Sequence, residues 1–447
     1  MGITIVQKSD LSIRKKNPKI ALVLAGGAVT GGGFKLGGLK ALDDFLLNRK
    51  TTEFDTYVGL SAGAVLAAPL AAGVSPAEMV KSLDGKSSQF TRLRAIDFYS
   101  PNFADFVTRP AKFALDVLMY LPGTISRMAR HLPELTRALE QPLANAIRRP
   151  DLNSLQALLA PLGELLAQRQ QFPFLLDYVP SGLFDNSRIE GYLRHNLEAA
   201  GIPNDFRELY RTTKKELYIG SMNLDTAERV VFGHDEDTSV TVSEAVQAST
   251  ALPGFYKPAR INGIDYVDGG VRRTANIDVA IEHGADLVIC YNPFRPFSNR
   301  VRRVEKNGRY HIEGEFMAER GLLAVVNQVF RTLLHSRLQY GLRQYQDDPN
   351  FRGDIVVIEP KETELNFFQM NALAYWERIR AAHYGYLSVN ASIQQNYELI
   401  KQILESYGIL MTRRQVRAGV ERIREASTEE ASSVLTDEIP SRNLSVA

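Results

Sequence analysis

The sequence predicts an α/β protein: a mostly parallel sheet covered by helices on both faces, a three-layer α/β/α sandwich. Three observations predict it. Short apolar runs of strand length alternate with longer segments of helical period. A glycine-rich turn, Gly26 to Gly33, separates one such run from a helical pattern. A second strand-to-helix junction carries Gly59-Leu60-Ser61-Ala62-Gly63. Parallel strands are buried on both faces and therefore read as near-continuous apolar runs, as these do.

Residues 1–17 are polar and read as a loose arm. Ile20 to Leu24 reads as the first strand, and Gly26 to Gly33 as a turn. Phe34 to Arg49 reads as a helix, with Leu36, Leu39, Leu42 and Leu46 on one face. Phe54 to Val58 is the next strand, followed by the serine turn and a small-residue helix. Later strands are Leu217 to Ser221, Arg229 to Phe232, Asp265 to Val267 and Leu287 to Tyr291. Residues 90–210 interrupt this rhythm with proline-punctuated amphipathic helices, a helical insertion or cap. After Asn292 comes a basic, irregular segment. Helical patterns return over Met317 to Gln346 and Gln369 to Tyr407, with a strand-like run at Ile355 to Ile358 between them. The α/β alternation is thus expected over 18–292, a mainly helical extension over 293–420, and a polar, disordered tail over 421–447.

Composition narrows the function. The chain has 447 residues and a formal net charge of +2, so it carries no overall bias toward nucleic acid. The only cysteine is Cys290, in an apolar strand, which excludes an intrachain disulfide and fits a reducing, cytoplasmic setting. No run reaches the roughly 20 apolar residues of a membrane span. The lysines before Ile20 faintly imitate a signal peptide, but the apolar stretch is short and runs straight into glycines.

Three constellations can carry chemistry. Gly59 to Gly63 has the form of a nucleophile elbow, in which a tight turn holds serine in a strained geometry. A β-carbon at either flanking glycine would clash with the strand or the helix. The following helix would aim its N–H groups and positive dipole end at an anion beside Ser61. The second constellation is the glycine loop. It fails the nucleotide P-loop pattern, because Gly32 and Gly33 stand where lysine and serine or threonine belong. It also misses the dinucleotide fingerprint at Ala28. A tight packing turn and an oxyanion hole both remain open for it. The third is Asp268-Gly269-Gly270, an aspartate at a strand end on a glycine turn; its plain alternative is a common Asp-Gly turn. Of the seven histidines, those after Asp268 (His283, His311, His335, His383) all lack the glycine-rich loop a triad histidine occupies. No metal-ligand cluster stands out.

Four segments together resemble the patatin-like phospholipases: the glycine loop at 26–31, Gly59 to Gly63, Ala248-Ser249 through Pro253-Gly254, and Asp268-Gly269-Gly270. Asn276 to Ile289 also matches the family's pattern. The resemblance covers roughly residues 18–292. It implies a Ser61–Asp268 dyad without histidine, no cofactor, and an oxyanion hole from backbone N–H groups among Gly26, Gly27, Ala28 and Gly31. Two positions depart from the family: Ala28 replaces the third loop glycine, and Thr30 stands where many members carry arginine. Alanine keeps its N–H, so that role survives if its φ is negative.

The expected substrate is a lipid acyl ester, as for a phospholipase A or lysophospholipase. The alternatives are an acyltransferase or carboxylesterase using the same dyad, or a catalytically silent membrane scaffold of the same fold. Between Thr91 and Pro150 nine Lys/Arg face five acids, an excess of 9 − 5 = +4, among bulky apolar residues. That segment is a candidate contact with a membrane surface, or equally a plain helical cap.

Overall fold

In this computed structural model, residues 2–116, 141, 178–306, 309–425 and 433–438 are described. The chain divides into two compact units, one formed by Met1–Ser100 with Phe184–Ala447 and one by Pro101–Leu183. In the smaller unit residues 103–116 are helical, and the Asp105 carboxylate accepts both the N–H and the hydroxyl of Ser181. Most of the insertion expected over 90–210, and with it most of the basic 91–150 segment, lies outside the described residues.

The larger unit is built on a nine-stranded sheet. Its strands are β1 (Ile3–Gln7), β2 (Ile20–Leu24), β3 (Thr56–Leu60), β4 (Glu216–Asn223), β5 (Arg229–Gly233), β6 (Ala259–Ile261), β7 (Ile264–Asp268), β8 (Leu287–Tyr291) and β9 (Asp354–Ile358). The order is β1-β9-β8-β2-β3-β4-β7-β6, with β5 also on β4. The five central strands, β9 to β4, are parallel, and the flanking pairs are antiparallel.

Alternation along each strand feeds two cores, one per face. Ile20, Leu22 and Leu24 join one, whereas Ala21 and Val23 join the other. Five helices matter below: α1 (Ala28–Phe45), α2 (Ala62–Ala71), α3 (Val242–Thr250), α4 (Leu322–Asp347) and α5 (Arg378–Gln395). Helices α1, α2 and α5 cover the first face, and α4 packs Leu338 and Leu342 on the second. This is the three-layer arrangement expected.

The structure corrects four boundaries. Residues 1–17 are no loose arm, because β1 pairs antiparallel with β9 along its whole length. Helix α1 starts at Ala28, six residues before the expected Phe34, so most of the glycine run is helix rather than turn. The basic segment after Asn292 holds an antiparallel pair, Arg302–Lys306 with Arg309–Glu313. The region after 292 is also no appendage: β9 sits between β1 and β8, and α5 packs along α1. That packing is backbone-close, since a β-carbon on Gly37 would overlap the Ala382 carbonyl, and one on Gly385 the Phe34 carbonyl. Of the tail, Arg414–Glu425 is helical and Val434 and Leu435 are buried, while 426–432 and 439–447 lie outside the described residues.

Candidate active site

β3 ends at Leu60 and the chain turns at Ser61 into α2. Ser61 has φ 54° and ψ −128°, a region that non-glycine residues rarely adopt and that costs roughly 1–3 kcal/mol. Its surroundings hold it there. The Ser61 N–H donates to Ser249 Oγ at 2.8 Å, and the Ser249 hydroxyl donates to the Gly220 carbonyl at 2.6 Å. The flanking glycines are required by contact, as expected. A β-carbon on Gly59 would lie 2.6 Å from Ala64 Cα, and one on Gly63 would overlap the Leu24 carbonyl.

Strand pairing brings Asp268 to this turn. β3 runs parallel to β4 as far as Leu60 opposite Gly220. Antiparallel β7 pairs with the next stretch of β4, its last residue Asp268 opposite Ser221. The two strands therefore meet end to end along β4, and the residues at their ends converge. The Ser61 hydroxyl lies within hydrogen-bonding reach of the Asp268 carboxylate. Asp268 Oδ1 also accepts the Gly270 N–H at 2.8 Å. Gly269 passes so close to β4 that a β-carbon would sit 2.8 Å from the Gly220 carbonyl. Both Ser61 and Asp268 are buried. Burial pushes the Asp268 carboxyl up to about 6, against the pull of the Ser61 and Gly270 hydrogen bonds and the Lys35 charge.

Lys35 was not singled out from the sequence. It is completely buried, and its Nζ donates to the Ala25 carbonyl and, at 2.8 Å, to the Gly26 carbonyl. It thereby ties α1 to the end of β2. Burial lowers its pKa to about 7, while Asp268 and Cys290 pull it back up. In sequence it reads as one more polar residue on a helix, and only the packing of α1 between sheet and α5 turns it inward.

The glycine loop partly departs from expectation. Gly26 lies against Ser61: a β-carbon there would be 3.3 Å from Ser61 Cβ. Gly27 has φ 140°, and Ala28 has φ 52°, so the condition of a negative φ on which the Ala28 donor role rested is not met. Gly31 leaves the expected donor set, because its N–H bonds the Gly27 carbonyl at 2.9 Å in the first turn of α1. Thr30 N–H is likewise committed, to Ala372 O at 3.1 Å. The Ala28 and Val29 amides have no acceptor within the helix, since first-turn N–H groups never do. Both residues line the pocket at Ser61. Val29 was absent from the expected set because the helix start was placed too late.

That pocket encloses about 1090 Å³ including its open mouth. Its wall is mainly apolar, with Leu36, Val65, Leu66, Met79, Phe90 and Leu193 among the lining residues. Among the described residues lining it, the one charged side chain is Arg378, whose guanidinium donates to the Leu83 and Tyr375 carbonyls and stacks on the Tyr375 ring. Among the described residues no histidine lines this pocket. His283 packs on Tyr218, and His335 faces Glu359. The Cys290 thiol is raised by burial and so is poorly ionised. Among the described residues no three His, Cys, Asp or Glu side chains cluster to hold a metal ion, and no helix is long and apolar enough to cross a membrane.

The family model for patatin-like phospholipases matches residues 22–281. The chain is 25% identical over 104 residues to the probable lipid hydrolase 463L of Invertebrate iridescent virus 6, a match spanning 23% of this chain and 36% of that protein. Among solved structures, VipD from Legionella pneumophila is 14% identical, over 95% of this chain and 79% of that one, with a TM-score of 0.32. Human GIVD cytosolic phospholipase A2, bound to methyl gamma-linolenyl fluorophosphonate, is 11% identical over 87% of this chain and 59% of that one, with a TM-score of 0.26.

Proposed function

The chain belongs to the patatin-like phospholipase family, and from that premise we propose that it is a lipid acyl hydrolase with a Ser61–Asp268 dyad. The observation carrying this reading is Ser61, held on a strained turn at the wall of an apolar pocket with the buried Asp268 carboxylate beside it.

In this mechanism the acyl chain lies in the pocket and its ester carbonyl sits over Ser61. Ser61 Oγ attacks the carbonyl carbon while Asp268 takes the hydroxyl proton. A carboxylate with an ordinary pKa near 3.9 is a feeble base for this. One raised to about 6 by burial is better matched, yet remains ionised at neutral pH. The tetrahedral oxyanion is met by the Val29 amide in the first turn of α1 and the Gly27 amide just before it, reinforced by the helix dipole; Ala28, whose φ is positive, is left out. Losing one such donor typically costs about 3 kcal/mol of transition-state stabilisation. Collapse expels the alcohol, which takes the proton from Asp268. Water, deprotonated by the same carboxylate, then cleaves the acyl-Ser61 ester. The strained Ser61 backbone keeps Oγ at the pocket wall throughout.

Labelling with a fluorophosphonate probe tests this directly. The native chain should be labelled and should hydrolyse lipid esters. Ser61→Ala should lose both properties, and Asp268→Asn should lose turnover. Undiminished hydrolysis by purified Ser61→Ala protein would refute the assignment.

A further inference from the structure

The mechanism makes no use of the outer face of α4. Arg331, Leu334 and Leu338 are buried on the inner side. On the outer side Leu322, Val325, Val326, Val329, Phe330 and Leu333 are all exposed, with Leu322 at 76% and Leu333 at 59%. Their spacing, i, i+3, i+4, i+7, i+8 and i+11, confines them to about 140° of the helix circumference. A continuous exposed apolar stripe of this kind marks an interaction surface.

Charge identifies the occupant. Between Leu322 and Gln346 the helix carries Arg331, Arg337 and Arg343 and no Asp or Glu, with Arg337 and Arg343 exposed; the nearest acids, Glu319 and Asp347, lie before its start and at its last residue. A bulky apolar stripe with no acid on it and arginines farther along the same helix suits the interface of an anionic bilayer, with the helix lying in its plane. Position agrees with this. Arg337 donates to the Val271 carbonyl at 2.9 Å, three residues beyond Asp268. Arg331 donates to the Pro293 carbonyl at 2.7 Å, and the Pro293 ring abuts Gly27 and Gly31. The same helix therefore backs both the loop after Asp268 and the segment behind the glycine loop.

We infer that the Leu322–Leu333 face of α4 seats the protein on an anionic lipid surface. The inference takes its purpose from the lipid-ester reading above, but its test is independent of turnover. The full chain carrying Ser61→Ala is floated with phosphatidylcholine vesicles, and with phosphatidylcholine vesicles containing phosphatidylglycerol. It should float with the second and at most weakly with the first. Adding Val329→Glu and Phe330→Glu should lower the floated fraction at least tenfold, and Arg343→Glu should erase the anionic preference. The same α4 changes in the Ser61-intact chain should leave hydrolysis of a soluble short-chain ester unchanged, because these side chains are exposed and none of them lines the pocket.

Equal flotation of the double variant and its parent would overturn the inference. So would flotation of the parent with neither vesicle. A dimer in solution that the double variant dissociates, with vesicle binding unaltered, would assign the face to a second copy and overturn it equally. Expected flotation together with no ester hydrolysis by the Ser61-intact chain would sink the enzymatic reading and leave the lipid surface standing.

Discussion

On the proposed mechanism, lowering the pH through about 6 should switch ester hydrolysis off, because Asp268, the proposed base, is then protonated. The free Asp carboxyl titrates at 3.8, and in the folded chain burial raises Asp268 to about 6. That difference corresponds to roughly 3 kcal/mol of disfavour for the buried charge. The form proposed to act is the carboxylate, so kcat/KM should be level above the transition and fall tenfold per pH unit below it. Lys35 adds a second arm. Its positive charge favours ionised Asp268, so Lys35→Met should move the acid limb to higher pH as well as lowering the rate. The other groups bearing on Asp268 are the neutral Ser61 hydroxyl and the Gly270 N–H. Stability follows the same titration with the opposite sense. Between 3.8 and 6 the folded state binds more protons than the unfolded state, so Asp268 makes stability fall as pH rises across that window. Asp268→Asn should therefore be more stable than the native chain at pH 7, by up to about 3 kcal/mol, with the advantage gone by pH 4. The assay is initial-rate hydrolysis of a soluble p-nitrophenyl ester, read at the isosbestic wavelength, alongside thermal melts. An acid limb at pH 4 would refute the buried-base argument. A Lys35→Met enzyme slowed with its limb unmoved would reduce Lys35 to a tether for the Ala25 and Gly26 carbonyls.

Ser249→Ala removes the acceptor of the Ser61 N–H and the donor to Gly220 O, leaving two buried polar groups unpaired. It should cost about 2–4 kcal/mol in a denaturant melt, together with much of the ester hydrolysis. Gly385→Ala would drive a methyl group into the Phe34 carbonyl of α1 and should destabilise the fold by several kcal/mol. Gly341→Ala in α4 meets nothing within 4 Å and should be neutral, or stabilising by up to about 1 kcal/mol in the same thermal melt.

The sequence alone determined those features that obey local rules. Strand-length apolar runs beside helical periods prescribe a covered parallel sheet, because each burial pattern fits only one backbone period. The elbow was legible because its two glycines answer to steric contacts within a few residues or with the adjacent strand. Asp268 was legible as a polar residue ending an apolar strand on a glycine turn. Long-range pairing decided the rest. That Asp268 meets Ser61 follows from β3 and β7 ending head to head on β4, strands some 200 residues apart in the chain. β1, Ile3-Thr4-Ile5-Val6-Gln7, has strand length and strand-forming residues but stands alone ahead of a mostly polar stretch, and only its pairing with β9 shows its place in the sheet. Lys35 faces inward, Gly31 gives its amide to α1, and Ser249 supports the serine turn, all because of what packs opposite them. A residue's type and spacing report its local backbone. Its protonation, its hydrogen-bond partner and its share in a site depend on burial and neighbours that only the folded chain supplies.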